Sequence, residues 1–308
     1  MYDAKDPRSN LGGGTATVTR PLGDDGIAAA AYADFSTIAP DEVSTAGSQT
    51  WVVRAQNVVL AHTSAVAGDS LGNTDLAGEM AVILPSTSSS ARFETTASSR
   101  EVTGPALVVV PPGHSEITAT TTGAIVRLVE SSEDGWATRA SNAESYAEPH
   151  PRVTPLQRWP EPTDGNVLRV YPLDGIAADP SRFGRIFRTR SFMVNFLLPN
   201  EGPRDPAKLS PHTHEDFEQC SLALVGEFVH HIRTPWGADC GRWVADEHQQ
   251  MGSPSVAIIP PPTVHTTEAS GAGMNWLVDI FSPPRVDFSS KPGWVLNAGD
   301  YPAPEGVE

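Results

Sequence analysis

Short apolar runs, separated by glycine, proline and polar residues, are the main pattern of this chain. No run sustains the 3.6-residue spacing of an amphipathic helix, so the pattern predicts β-strands. In the first half, strands are predicted at 15–20, 49–54, 57–62, 79–84, 91–95, 105–110 and 123–129. In the second half, they are predicted at 183–189, 191–198, 219–225 and 228–233, around His265, and at 275–281. Helix is predicted only around 137–146, and residues 1–14 are predicted to form a loose arm.

The end of the first half is repeated in the second. Segment 108–114 parallels segment 257–262, and in each a glycine follows a proline of the motif by twelve residues, Gly123 after Pro111 and Gly273 after Pro261. A repeat of about half the chain predicts two fused domains of one architecture. The polar, proline-containing segment 131–165 is interpreted as a linker between domain 1–130 and domain 166–308.

Three histidines of the second half suggest a metal site. His212 and His214 lie two residues apart, so in a strand they share one face. A third imidazole, His265, follows a predicted strand further along the chain. Imidazoles with one carboxylate or amide oxygen suit Fe, Mn, Co, Ni or Zn. Two surface histidines before a strand are the plain alternative.

These residues resemble the motifs of the cupin family. His212, His214 and Gly226 match its first motif, although Pro206 stands where that motif begins with glycine. Segment 260–265 matches the second motif, with Pro262 replacing a glycine. The resemblance implies an all-β protein of two fused cupin (jelly-roll) barrels with minor helix, a bicupin, whose metal ligands lie in the C-terminal barrel.

The fourth ligand differs from the family pattern. In the family motif, three or four residues separate the second histidine from the glutamate. Glu218 is separated from His214 by three residues, and Gln219 is separated from it by four. Only Gln219 is also separated from Gly226 by the six residues of the motif. The expected metal ligands are therefore His212, His214, Gln219 and His265. Glu218 stays as an alternate ligand or catalytic group. Gln219 is predicted to face inward together with Ser221.

The N-terminal barrel is predicted to lack a metal. Gly72 and Thr74 occupy the positions of the paired histidines, and Glu116 occupies that of His265. His62 and His114 are interpreted as ordinary structural or surface histidines. This barrel would then serve as a packing partner or as a pocket wall.

Groups for substrate binding and catalysis are predicted around the metal. Only one of His230 and His231 can face the cavity, because adjacent strand residues point to opposite sides. The predicted catalytic residues are Glu218, His231 and Arg233. The predicted substrate-binding residues are Asn195, Met193 and Trp236. The long loop 235–252 is a candidate lid.

The family resemblance implies one divalent transition metal per chain, iron first, with Mn, Zn, Ni or Co as alternatives. The function it favours is a non-haem metal dioxygenase-type oxidoreductase acting on a small oxygenated organic molecule. A neutral Gln219 ligand favours the alternative, a metal Lewis-acid isomerase or lyase on a sugar acid or hydroxy-carbonyl compound. A non-catalytic small-molecule-binding cupin is the second alternative.

The charge of the chain limits the kinds of binding partner that we expect. The chain has 37 acidic and 21 basic residues and a net charge of −16. Such a surface repels phosphate backbones and anionic lipid, so we expect a small-molecule substrate, no nucleic acid and no membrane. The first eight residues do not resemble a secretory signal, and two cysteines make no disulfide framework. A cytoplasmic homo-oligomer, such as a homodimer, is expected.

Overall fold

The computed structural model describes residues 26–307, whose regular secondary structure is almost entirely strand. The strands of the first half are β1 (Ala31–Asp34), β2 (Glu42–Val43), β3 (Gln49–Arg54), β4 (Val58–Ala65), β5 (Ser70–Leu76), β6 (Met80–Leu84), β7 (Ser90–Thr95), β8 (Ser99–Thr103), β9 (Ala106–Val110), β10 (Gly113–Ala119) and β11 (Gly123–Glu130). Those of the second half are β12 (Arg169–Pro172), β13 (Arg185–Arg188), β14 (Met193–Phe196), β15 (Asn200–Glu201), β16 (Gln219–Val225), β17 (Phe228–Arg233), β18 (Glu247–Met251), β19 (Ser255–Ile259), β20 (Val264–Ala269) and β21 (Met274–Phe281). Within residues 26–307, the helices are α1 (Trp136–Arg139), α2 (Val286–Ser289) and short 3-10 turns at Ala143–Tyr146, Pro206–Lys208 and Cys240–Arg242.

The strands form two barrels, each made of a large and a small antiparallel sheet. In the first barrel, the sheet β12-β9-β6-β11-β4-β3-β2 is combined with the sheet β5-β10-β7-β8. In the second, the sheet β1-β19-β16-β21-β14-β13, with β15 on β21, is combined with the sheet β18-β17-β20. This is the jelly-roll arrangement, and it confirms the predicted all-β fold of two barrels.

Each barrel contains one strand from the other half of the chain. The predicted domain boundaries at 130 and 166 assign these two strands to the opposite barrels. β1, from the first part of the chain, pairs with β19 of the second barrel, where Ala31 lies opposite Ile258. β12, which follows the linker, pairs with β9 of the first barrel, where Val170 lies opposite Val108. Each added strand covers an edge that would otherwise expose unpaired backbone groups.

The barrels pack through the outer faces of their large sheets. The buried apolar residues shared across this interface include, from the first barrel, Trp51, Val53, Leu60, Ile83 and Leu128, and, from the second, Phe196, Leu222, Ile258, Trp276 and Ile280. The inside of the first barrel is one continuous apolar core around Val59, Phe93 and Val108. Inside the second barrel, three smaller apolar groups leave space among them for polar side chains.

Most predicted strands are confirmed, with ends shifted by a few residues. The strands missed are mainly polar ones at sheet edges, which carry no alternation of apolar residues; β18, for example, lies within the predicted loop 235–252. The predicted helix at 137–146 corresponds to α1 and the 3-10 turn that follows it. The predicted arm 1–14 and strand 15–20 lie outside the described residues. Among the residues described, no helix is both long and apolar enough to cross a membrane.

Candidate metal centre

Three histidines converge inside the second barrel. His212 and His265 form an antiparallel backbone bridge, with N–H to carbonyl distances of 3.0 and 2.8 Å. His214 lies beside them, with its ring centroid 5.0 Å from that of His212 and 5.1 Å from that of His265. One ring nitrogen from each histidine lies within 4.8 Å of those of the other two. The structure thus brings together the three imidazoles that the sequence motifs singled out.

Backbone carbonyls orient two of these rings. The Nδ1 of His212 lies 3.0 Å from the Ser210 carbonyl oxygen, and the Nδ1 of His265 lies 3.0 Å from the Thr263 carbonyl oxygen. Because a carbonyl can only accept, each Nδ1 carries a proton, and Nε2 is the ring nitrogen left to bind a metal. This is the arrangement that metal-binding histidines use.

Gln219 supplies an oxygen to the cluster. Its Nε2 donates to the Ser221 hydroxyl at 2.8 Å and to the Asp279 carboxylate at 3.1 Å. The Ser221 hydroxyl in turn donates to Asp279 at 2.8 Å. These contacts turn the Gln219 Oε1 toward the histidines, 2.9 Å from the Nε2 of His214 and 3.4 Å from that of His265. Three imidazole nitrogens and one amide oxygen therefore fit a divalent transition metal.

The environment keeps His214 neutral. Its ring stacks on Phe217 at 4.4 Å and meets the edge of Phe281 at 5.8 Å. Burial, followed by the nearby charge of Arg285, lowers the pKa of His214 well below its usual value. Metal ions bind neutral imidazole, so the site is prepared for a ligand role.

His230 faces the same interior. In the β17–β20 pairing, Ile232 lies opposite His265 and His230 lies opposite Thr267, so His230 shares the inward face with His265. It is completely buried, and its Nδ1 lies 3.1 Å from the Thr267 hydroxyl. Its Nε2 has no hydrogen-bond partner within residues 26–307. Burial lowers the pKa of His230 to about 4.

His230, and not the His231 chosen from the sequence, therefore faces the interior, and one signal for this was available. Phe228, His230 and Ile232 alternate on one face, so the apolar neighbours at i−2 and i+2 mark His230 as inward. His231 lies on the outer face, where its Nδ1 is 2.7 Å from the Nδ1 of His248 and its Nε2 is 3.0 Å from Glu268.

Arg233 also lies on the outer face of β17, because it is two residues from His231. Its exposed guanidinium clamps the Asp246 carboxylate, with the Nε 3.0 and 3.1 Å from the two oxygens. Arg233, predicted as a catalytic residue, therefore lies away from the histidine cluster, and its catalytic role stays a prediction.

Glu218 is directed away from the cluster, toward the barrel interface. Its carboxylate accepts from the Gln56 backbone N–H at 2.6 Å and from the Tyr146 hydroxyl at 2.9 Å, and it lies 3.4 Å from the His150 Nδ1. It therefore joins the first barrel and the linker to β16. Because adjacent strand residues alternate, Glu218 cannot face the metal cluster together with Gln219.

Of the predicted substrate-binding residues, two lie inside the barrel. Met193 pairs with Phe281 and Asn195 pairs with Asp279. Asn195 is fully buried, and neither side-chain polar atom has a partner in the described part of the chain. Trp236 is instead 67% exposed and stacks on Trp243 at 4.3 Å, outside the cluster.

The first barrel shows no comparable group among its described residues. Gly72 and Thr74 lie on β5, and Glu116 accepts a hydrogen bond from Ser70. His62 is buried at the barrel interface, where its ring stacks on Phe35 at 5.1 Å. His114 is exposed.

No family model matches the chain, and no curated protein matches it. Solved structures do match. An oxalate decarboxylase of Lactobacillus farciminis in a formate complex is similar over 84% of this chain and 88% of its own, with a TM-score of 0.58 and 11% identity. A mutant of Bacillus subtilis oxalate decarboxylase covers 84% of this chain and 78% of its own, with a TM-score of 0.56 and 13% identity. Another structure of that enzyme, described for its Mn(II) centres, gives a TM-score of 0.54 at 13% identity, over 84% of this chain and 78% of its own. Together with the two jelly-roll barrels, these likenesses show that the chain has the bicupin fold.

Proposed function

We propose that this protein is a metal-dependent bicupin enzyme of the lyase or isomerase type, acting on a small organic molecule with a carboxylate or hydroxy-carbonyl group. The observation that carries the proposal is the ligand set. Imidazole ligands and the Gln219 amide carry no negative charge, so they would leave the full double charge on a divalent metal. Bound there, the metal would act as a Lewis acid that polarises a carbonyl or carboxylate oxygen.

We propose one divalent ion per chain, with manganese as the first candidate. Imidazole and oxygen ligands accept Mn as well as Fe, Co, Ni and Zn. The similar structures give no support to the iron expected from the sequence, whereas one of them is described for Mn(II) centres.

The residues around the cluster have separate roles in this proposal. Asp279 and Ser221 hold the Gln219 amide in one orientation, so its oxygen needs no rearrangement to bind the metal. His230 would act as the general acid or base for the substrate. Thr267 fixes its ring at Nδ1, which leaves Nε2 to accept or return a proton in the barrel interior.

The similar structures favour this lyase-type alternative over the dioxygenase, because those compared above are decarboxylases. At 11–13% identity, they support the fold of this chain and only suggest its chemistry. A carboxylic acid such as oxalate is therefore the first substrate to test, followed by sugar acids and hydroxy-carbonyl compounds.

The test combines metal analysis with an oxygen electrode. Protein purified without chelators is assayed for metal content and incubated with each substrate class, while products are followed by NMR and dissolved O₂ is recorded. We expect a bound divalent metal and turnover without net O₂ uptake. Bound iron with stoichiometric O₂ uptake would support the dioxygenase instead, and bound metal without turnover of any substrate would support the binding protein.

A further inference from the structure

A cavity of about 540 Å³ lies between the two barrels, away from the metal centre. The first barrel contributes side chains of β3, β4 and β11 to its walls, and the second contributes Phe35, Leu224 and Pro254. Leu224 lies at the opposite end of β16 from Gln219, and none of the three clustered histidines lines the cavity. Cavities of about 300–1,000 Å³ are the size that holds small organic ligands.

One wall is a single face of the large sheet of the first barrel. Trp51 pairs with His62 on the next strand, and Gln49 pairs with Ser64. Residues two apart in a strand share a face, so these four side chains form two adjacent rows. Trp51 and His62 make the buried row, whereas Gln49 and Ser64 are exposed at the mouth of the cavity. An amide and a hydroxyl are therefore available where a ligand would enter.

His62 adds a polar group at the buried end of this wall. The residue is 3% exposed, and its Nδ1 is fully buried without a hydrogen-bond partner within residues 26–307. Nε2 is not fully buried in this way, so it is the ring nitrogen that a molecule in the cavity can reach. Burial lowers the pKa of His62 to about 4, and a neutral imidazole can donate or accept one hydrogen bond at Nε2. A ligand with a hydroxyl or amide would give this nitrogen a partner.

The facing wall is apolar and comes from the second barrel. The Phe35 ring stacks on His62 at 5.1 Å and lies 6.0 Å from the Trp51 ring, and Leu224 and Pro254 extend this wall. Among the described residues that line the cavity there is no lysine, arginine, aspartate or glutamate. A charged ligand would lose hydration here without gaining an ion pair, so the walls favour an uncharged molecule.

We propose that this cavity is a second ligand site, which binds an uncharged aromatic molecule that carries a hydroxyl or amide group. The aromatic ring lies against Phe35 and Leu224, where apolar and aromatic side chains cover it. The polar group bonds the Nε2 of His62, and Gln49 and Ser64 contact the ligand at the mouth. This site goes beyond the proposed reaction, since it needs neither the metal nor turnover.

The test compares probes of one shape and different charge on the full-length protein at neutral pH. Benzamide and phenol are titrated by calorimetry and by thermal shift, with benzoate and benzylammonium as the anionic and cationic controls. We expect at least one uncharged probe to bind saturably and to raise the Tm, and both charged controls to bind at least tenfold more weakly. Binding of neither uncharged probe, or equal affinity for charged and uncharged probes, would overturn the proposal.

Variants assign the binding to this cavity. Leu224→Trp fills it, and His62→Phe removes the ring nitrogen while it keeps an aromatic ring. We expect each variant to bind the probe at least tenfold more weakly, with circular dichroism showing that the barrels stay folded. Ser64→Trp blocks the mouth from an exposed position, so it replaces Leu224→Trp if that variant does not fold.

Two control variants separate this site from other histidines. His114→Phe changes an exposed histidine of β10 that does not line the cavity, and it should bind the probe as wild type does. His214→Ala alters the metal cluster and should also bind as wild type does, whether or not the proposed reaction occurs. Wild-type affinity in both His62→Phe and the blocked variant, or a loss confined to His214→Ala, would contradict the assignment.

Discussion

The Asp279 carboxylate accepts a hydrogen bond from the Gln219 amide nitrogen at 3.1 Å, and this contact fixes which end of the amide meets the histidines. With the nitrogen held by Asp279 and Ser221, the oxygen must point at His214 and His265. A glutamate at position 219 would have no N–H to give Asp279, and two carboxylates would meet in a buried space. The departure from the family's usual glutamate thus belongs to a matched pair of residues.

Asp279→Ala should weaken metal binding although Asp279 need not touch the metal. Without its acceptor, the Gln219 amide is free to turn its nitrogen toward the cluster. Loss of such a supporting contact typically lowers metal affinity by about 10- to 100-fold. Competition with a chromogenic chelator measures this, and an unchanged dissociation constant would show that Gln219 is oriented without Asp279.

His214→Ala should remove the metal while the barrels stay folded. The side chain contributes one ligand and lies against Phe217 and Phe281, so the loss of packing is local. His231→Ala is the matched control, because His231 lies on the outer face of β17 and should keep a full metal content. Metal analysis and circular dichroism of both variants decide the ligand assignment, which would be wrong if His214→Ala retained its metal.

His230→Asn should reduce turnover and leave the metal content unchanged. Loss of a group that transfers a proton typically costs about 10²- to 10⁴-fold in rate. We expect the loss in kcat rather than in KM, and a change in the pH profile of kcat. His231→Asn should behave as wild type. Equal kcat for the wild-type protein and His230→Asn would remove His230 from the mechanism.

Glu218→Ala should destabilise the protein without changing the metal content. Its carboxylate accepts two short hydrogen bonds from groups of the first barrel and the linker, and each bond to a charged group contributes about 1.5–3 kcal/mol. We expect a loss of about 3 kcal/mol in the free energy of unfolding by urea. Loss of metal at unchanged stability would instead restore Glu218 as a ligand.

Acid should destabilise the barrel interface through His62. Burial lowers the pKa of His62 from 6.5 to about 4, so between these values the unfolded chain binds a proton that the folded chain does not. Stability due to this group is therefore intact above pH 6.5 and is lost progressively toward pH 4. One histidine shifted in this way accounts for about 2 kcal/mol between pH 7 and pH 5.

His62→Phe keeps an aromatic ring beside Phe35 and removes the titration. In His62→Phe, the difference in unfolding free energy between pH 7 and pH 5 should be smaller than in the wild-type protein by about 2 kcal/mol, whatever the absolute stability of the variant. An identical pH dependence in the wild-type protein and His62→Phe would contradict the prediction.

The sequence by itself determined the fold class and the identity of the clustered residues. The resemblance to the cupin motifs was sufficient for this: it named His212, His214 and His265, and the motif spacing to Gly226 separated Gln219 from Glu218. Strand alternation, applied to Phe228 and Ile232, would have identified His230.

Only the tertiary structure decided the contacts that depend on residues far apart in the chain. β1 and β12 cross between the barrels, because pairing of an edge strand depends on which edge is close. Asp279 meets Gln219 through the β16–β21 register, and the partners of Glu218 come from two segments, the first barrel and the linker.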